Sequence, residues 1–129
     1  MPVTYVIDAK ARLIRTRCIG DVTFEEVIDH FQTLQQDPDC PPRLNVLLDL
    51  SETSTLPESR QLETVSHQIA GVRSRVQFDL CVVIAPREAL FGMMRMFEVM
   101  AQPYFRSTCV LRTAAEAEAW LAAHRLPVE

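Results

Sequence analysis

Glycine is scarce in this chain, with only three among its 129 residues. The three stand far apart, so the sequence offers no glycine-rich loop to hold phosphate groups and no G-x-S-x-G nucleophile elbow. This scarcity argues against a P-loop nucleotide-binding protein and against a serine hydrolase of the α/β type.

Basic residues and long apolar runs are also limited. Lysine and arginine number 13 against 17 acidic residues, which gives a net charge of −4, whereas nucleic-acid binding needs a basic surface. No apolar run approaches the roughly 18 residues of a membrane span. Residues 1–5 show neither the basic nor the apolar part of a signal peptide. We therefore expect no nucleic-acid partner, no membrane span and a cytoplasmic location.

Close pairs of metal ligands are missing as well. The three histidines are isolated and the four cysteines form no C-x-x-C pair, although a zinc site needs such closely spaced ligands. Three of the cysteines fall in predicted strands, where a thiol usually serves as a small buried apolar group. We expect free thiols, no disulfides, no metal site and no cofactor. The cysteines concerned are Cys18, Cys40, Cys81 and Cys109.

The residues that are present are typical of a globular protein. Hydrophobic side chains make up 48% of the chain and charged side chains 23%, a balance that supports a folded core and argues against disorder. The length and the lack of an interior linker predict a single domain over residues 1–129.

Apolar periodicity predicts five strands and four helices in the order ββαβαβαβα. Capping boxes at residues 23–26 and 113–116 begin the first and last helices. The second helix begins near Pro57, and the third covers residues 86–102. Strands that alternate with helices after an initial hairpin predict an α/β fold, in which a mixed sheet with an N-terminal hairpin is covered by helices. The predicted strands are residues 4–8, 13–19, 45–50, 79–85 and 107–112.

The stretch 49-DLSETSTLPES-59 follows the core of the third predicted strand, where α/β sheets often bind their ligands. It allows three interpretations. In the first, it is a polar turn in which Ser54, Thr55 or the loop backbone caps the following helix at Pro57 and Glu58 complements the helix dipole.

The second interpretation is a catalytic site. Asp49, Glu52 and Glu58 offer carboxylates for acid–base chemistry, and Ser51 or Ser59 offers a hydroxyl nucleophile. A serine nucleophile needs a base within hydrogen-bond reach, however, and no histidine follows another predicted strand. We therefore expect that the protein is not an enzyme.

The third interpretation is a regulatory loop, and it follows from a family resemblance. The element order and the segment 46-VLLDLSETSTLPESRQL-62 resemble the STAS domain, the fold of the anti-sigma-factor antagonists in the SpoIIAA-like superfamily. The segment 91-FGMMRMFEVMA-101 is similar to segments found in stand-alone bacterial proteins of the STAS/SEC14 type. The resemblance implies a SpoIIAA-like fold over nearly the whole chain and a surface that meets another protein or a ligand.

The resemblance also implies a phosphorylation switch, because the antagonists carry a phosphorylated serine in an Asp-Ser-Ser-Gly-Leu motif at a helix start. Aligned on Leu62, this chain has Arg60 at the phosphoserine position and so lacks the usual motif. Phosphate on the neighbouring Ser59 would still lie at a helix N-terminus. Arg87 in the third helix is placed to bind an anion or to pair with an acid of the loop. The candidate switch or binding surface is Asp49, Ser51, Glu58, Ser59, Arg60 and Arg87.

The third predicted helix is unusually apolar and rich in methionine. At ~100° per residue its apolar arc is about 200° wide, whereas a surface helix needs on the order of 100°. Three interpretations fit this wide apolar arc. The helix is well buried under its neighbours, or it forms an interface, most simply that of a homodimer, or it forms one wall of an apolar ligand pocket. The candidate interface or pocket residues are Phe91, Met94, Met96, Phe97 and Val99.

Two functions are predicted from these features. The first is a non-enzymatic cytoplasmic interaction or regulatory module of STAS type, which acts as a homodimer or on another protein through residues 49–59 and 86–102. The alternative is a binder of a small apolar or lipid-like molecule between the third helix and the sheet.

Overall fold

Five strands and four α-helices follow one another in the order ββαβαβαβα in the computed structural model, which describes residues 2–72 and 76–124. The predicted element order and the α/β fold class are confirmed. The strands are β1 (Val3–Asp8), β2 (Leu13–Gly20), β3 (Arg43–Thr53), β4 (Gln77–Ile84) and β5 (Ser107–Leu111). The helices are α1 (Phe24–Gln36), α2 (Ser59–Val72), α3 (Glu88–Met100) and α4 (Ala114–His124), and a 3-10 turn (Gln102–Tyr104) follows α3.

The strands form one mixed sheet in the order β1-β2-β3-β4-β5. β1 and β2 pair antiparallel as the N-terminal hairpin, and every later pair is parallel. Each strand lies beside the next one in sequence, so successive right-handed crossovers place their helices on the same face of the sheet. We call the face covered by α1, α2 and α3 the inner face.

The two faces of the sheet carry cores of different size. The inner face holds the larger cluster, which includes Ile14, Leu44 and Val83 together with side chains of the three crossover helices. The opposite face packs against α4 through Ala117 and Leu121. Strand β4 is buried from Phe78 to its end because it has a partner strand on each side and helices on both faces.

Capping boxes begin the first and last helices, as predicted. The hydroxyl of Thr23 accepts from the backbone N–H of Glu26, whose carboxylate accepts in return from the backbone N–H of Thr23. Thr113 and Glu116 make the same reciprocal pair. Each box satisfies two N–H groups that helical hydrogen bonding leaves without an acceptor.

Strand β3 is longer than its apolar pattern predicts, and it ends at Thr53. The pairing with β4 stops at Asp49 and Ile84, but the pairing with β2 continues to Gly20 and Thr53. The last residues of β3 therefore have a partner on one side only, which explains why their sequence is polar. The prediction that a loop follows residue 50 was wrong for the first part of the 49–59 stretch.

Candidate functional site

A cavity of about 210 Å³ lies between the inner face of the sheet and the helices above it. We call it the inner cavity. Its floor comes from alternate residues of β2 and β3, whose side chains point to the same face because a strand repeats every second residue. Cys81 of β4 extends the floor. The floor residues of β2 and β3 are Ile14, Thr16, Cys18, Val46 and Leu48.

Three helices form the walls and roof of the inner cavity. Helix α1 covers it with an apolar stripe that includes Val27, Phe31 and Leu34, and α2 closes another side with Leu62 and Val65. Leu34 is the one residue of α1 that is buried. The other apolar residues of the stripe stay half-buried because they face the cavity and not tightly packed neighbours.

Helix α3 borders the same cavity on its far side. Met94 and Phe97, two of the predicted interface or pocket residues, are buried and line it together with Leu90. The sequence-based alternative placed a ligand between α3 and the sheet, whereas the cavity lies mainly under α1 and α2. Strand β2 supplies the reason, since its inward residues Thr16 and Cys18 leave more room than long aliphatic side chains would.

Charged side chains are absent from the lining that the described part of the chain provides. Three lining groups can titrate, and burial keeps each of them neutral near pH 7. Burial lowers the pKa of His30 from 6.5 to about 4. Burial also raises the pKa of Cys18 to about 11 and that of Cys81 to about 12. The inner cavity is therefore an uncharged and largely apolar space.

The end of β3 and the segment after it close one end of the inner cavity with hydroxyl groups that are already engaged. Thr53 donates to the carbonyl of Gly20 at 3.0 Å, and Thr55 Oγ1 accepts from the backbone N–H of Val22 at 2.7 Å. Ser54 bonds to the carboxylate of Asp21 at 2.7 Å. The first bond joins the ends of β3 and β2, and the other two join the β3–α2 connection to the β2–α1 connection.

The predicted cap of α2 by Ser54 or Thr55 was therefore wrong. Both hydroxyls form hydrogen bonds with residues of the β2–α1 connection. This connection lies close by because Gly20 and Thr53 are paired at the ends of adjacent strands. The backbone N–H of Glu58 is instead bound by the side-chain oxygen of Gln61 at 2.9 Å. Helix α2 begins at Ser59, two residues after Pro57.

The six predicted switch or binding residues do not converge on one point. Asp49 and Ser51 lie within β3, where the carboxylate of Asp49 accepts from the N–H and the hydroxyl of Ser51. Glu58 and Arg60 form an exposed ion pair of 3.1 Å at the start of α2.

The last two of these residues begin helices. Ser59, the first residue of α2, is exposed. Arg87 is the N-cap residue of α3, and it is exposed as well. The acids expected to pair with Arg87 have other partners, because Asp49 binds Ser51 and Glu52 binds Arg17 at 2.6 Å.

The five predicted residues of α3 divide into three environments. Met94 and Phe97 face the core, whereas Met96 and Val99 are exposed by 40% and 63%. Phe91 is half-buried, and the guanidinium of Arg112 lies 4.1 Å from its ring centroid. No helix in residues 2–72 or 76–124 combines the length and the apolar character that crossing a membrane requires.

Sequence reasoning missed two residues of the inner cavity, Thr16 and His30. Thr16 follows Ile14 by two positions on β2 and precedes Cys18 by two, so the alternation of the strand placed it on the inner face. His30 lies three residues after Val27 and four before Leu34, which places it on the apolar stripe of α1. In both β2 and α1, the sequence signal for a cavity residue was a polar side chain at a position where the periodicity of the element predicts an apolar one.

No protein-family model matches the chain, and no curated protein shows significant sequence similarity to it. The resemblance to the STAS domain therefore stays a prediction.

Proposed function

We propose that the protein binds a small apolar molecule in the inner cavity. The observation that carries this proposal is an uncharged, largely apolar cavity of about 210 Å³ that is lined by the sheet and three helices. An engineered cavity of about 150 Å³ with an apolar lining binds benzene. The inner cavity is larger, so its ligand is a molecule of one or two rings or a medium-length alkyl chain.

The apolar lining of the inner cavity supports this proposal, because a ligand in it removes apolar surface from water and gains dispersion contacts with these side chains. Such a ligand stabilises the folded state by mass action.

Cavity filling by mutation tests the proposal. Val46 lies on the cavity floor, next to Ile14 of β2 and Cys81 of β4 in the sheet register. Val46→Phe should place the added ring in the cavity and abolish the binding of propylbenzene, measured by titration calorimetry. The matched control is Val6→Phe on the opposite face of β1, where the side chain is exposed. Val6→Phe should bind propylbenzene as the unmodified protein does.

Two outcomes would contradict the proposal. The unmodified protein could fail to bind propylbenzene, or Val46→Phe could bind it with unchanged affinity while remaining folded by circular dichroism. Mass spectrometry of an organic extract of the purified protein gives a second measurement. We expect an uncharged compound that is retained in molar proportion by the unmodified protein and is missing from Val46→Phe.

A second proposal is a contact with another protein chain, most simply a second copy, through the outer surface of α3. Met96 and Val99 lie three residues apart on this helix, so they are neighbours on its surface. Adjacent exposed apolar side chains favour a contact, and methionine adapts to different partner surfaces. This proposal is independent of the inner cavity, since neither side chain lines it.

A further inference from the structure

Two polar side chains face the inner cavity without a hydrogen-bond partner in residues 2–72 and 76–124. The first is Thr16, which is only 3% exposed and lines the cavity floor. Its hydroxyl differs in this respect from those of Thr53 and Thr55, which bond to the backbone of the β2–α1 connection. A hydroxyl that faces the cavity without a protein partner is available to donate a hydrogen bond to a ligand and to accept one from it.

The second such group is the imidazole of His30 on the roof. Its ring packs edge-on against Tyr5 at a centroid distance of 5.3 Å and lies 5.7 Å from the ring of Phe31. Because burial lowers the pKa of His30 to about 4, the ring is neutral near pH 7. A neutral imidazole offers one N–H donor and one nitrogen acceptor.

Tyr5 is a neighbour of both Thr16 and His30. It is the cross-strand partner of Thr16 in the antiparallel pair of β1 and β2, so both side chains lie on the inner face. The ring of Tyr5 also contacts His30. The Tyr5 hydroxyl donates to Asp37 at 2.6 Å. Thr16 and His30 are therefore the residues of this group whose polar atoms are available to a ligand.

We propose that the ligand of the inner cavity is a neutral molecule with an apolar body and one uncharged polar group, a hydroxyl or a carbonyl, which hydrogen-bonds to Thr16 and His30. This inference rests on the proposed function and adds the chemical class of the ligand. A carboxylate or an ammonium group would be buried without an opposite charge, because the lining carries none. An uncharged polar group satisfies the Thr16 and His30 side chains at no such cost.

Calorimetric titration at pH 7.5 with four probes tests this inference. The probes are 1-octanol, octanoate, octylammonium and propylbenzene, of which the first three share one chain and differ in head group. We expect 1-octanol to bind at least tenfold more tightly than either ion. Propylbenzene reports whether the cavity binds apolar molecules at all.

Removal of the hydroxyl of Thr16 tests its role. Thr16→Val keeps the shape of the side chain, and it should weaken 1-octanol binding about fivefold to tenfold while leaving propylbenzene binding unchanged. His30→Phe should weaken 1-octanol binding in the same way, and it provides a second variant should Thr16→Val fold poorly.

Thr108→Val is the matched control. Thr108 has a buried hydroxyl without a hydrogen-bond partner among the described residues, and it lies on β5 and does not line the inner cavity. This variant should bind all four probes as the unmodified protein does. Equal affinities for octanoate and 1-octanol, or equal losses of 1-octanol and propylbenzene in Thr16→Val, would overturn the inference and leave the proposed function intact. Failure of every probe to bind would overturn both.

Discussion

The hydroxyl of Tyr5 donates a 2.6 Å hydrogen bond to the carboxylate of Asp37, and this bond joins strand β1 to the C-cap residue of α1. Tyr5 also contacts the ring of His30 in the same helix. Since Leu34 is the one buried residue of α1, the contacts of Tyr5 help to hold this helix in place over the inner cavity. Helix α1, which forms the roof of the inner cavity, is thus attached to strand β1 at the edge of the sheet.

The ionisation of Tyr5 should report this bond. The bond to Asp37 and burial together raise the pKa of Tyr5 from 10.0 to about 12. The bond therefore stabilises the fold below pH 10, and this contribution is lost as the pH rises through 12. Asp37→Asn removes the negative charge next to the phenol, so the pKa of Tyr5 should fall toward 10.0.

The measurement is an absorbance titration of the phenol. The chain has two tyrosines, so the titration is made in a Tyr104→Phe background, in which Tyr5 is the remaining one. Asp39→Asn is the control, because Asp39 contributes least among the charges that raise the pKa of Tyr5. A Tyr5 pKa that stays near 12 in Asp37→Asn would show that the hydrogen bond is not its cause.

Burial of His30 should make the protein sensitive to acid. The pKa of His30 is 6.5 in the unfolded chain and about 4 in the folded protein. The unfolded chain therefore binds a proton between these values that the folded protein does not, and the free energy of unfolding should fall as the pH drops from 6.5 to 4. The full difference corresponds to about 3 kcal/mol below pH 4.

Urea denaturation at a series of pH values from 7.5 to 4 measures this loss. His30→Phe removes the titrating group, so its stability should fall less than that of the unmodified protein over the same interval. His67→Phe is the control, because His67 is exposed on α2. Parallel pH profiles for the unmodified protein and His30→Phe would refute the prediction.

The cysteines of the cavity floor should resist thiol reagents. The thiolate is the reactive form, and burial raises the pKa of Cys18 to about 11 and that of Cys81 to about 12. In a variant with Cys40→Ser and Cys109→Ser, the folded protein should release almost no thionitrobenzoate from Ellman's reagent at pH 8. Two thiols per chain should react after urea is added. Rapid reaction of the folded double variant would contradict the burial of both thiols in the cavity floor.

The surface of α3 should govern any self-association. Val99→Asp places a charge on the exposed patch with Met96 and should shift the protein toward monomer in sedimentation velocity experiments at several concentrations. Its Tm should stay nearly unchanged, because Val99 is 63% exposed. Phe91→Asp is a poorer test, since the ring of Phe91 is half-buried under Arg112.

Val6→Asp is the control for this experiment, because Val6 is equally exposed but lies on β1, at the other edge of the sheet. It should leave the sedimentation profile unchanged. A monomeric unmodified protein at all concentrations, or a dimer that persists in Val99→Asp, would exclude the α3 surface as the contact between copies.

Most of the fold could be predicted because its signals are local. The hydroxyl and carboxylate of a capping box stand three residues apart, so Thr23 and Glu26 define the start of α1 without any help from the rest of the chain. The end of β3 could not be predicted in this way. Its last residues, to Thr53, are held by pairing with Gly20 of β2, which is 33 residues away.

The residues of the inner cavity likewise divide into features that local sequence determines and features that distant contacts determine. The sequence by itself determined which residues lie on the apolar stripe of α1 and which residues of β2 point to the inner face, because helix and strand periods fix these directions. Only the tertiary structure decided that α1 stands away from the sheet and that Thr16 and His30 face the space between them. A cavity depends on the distance between two packed layers, and this distance is set by all side chains between them, from strands and helices that are remote in sequence.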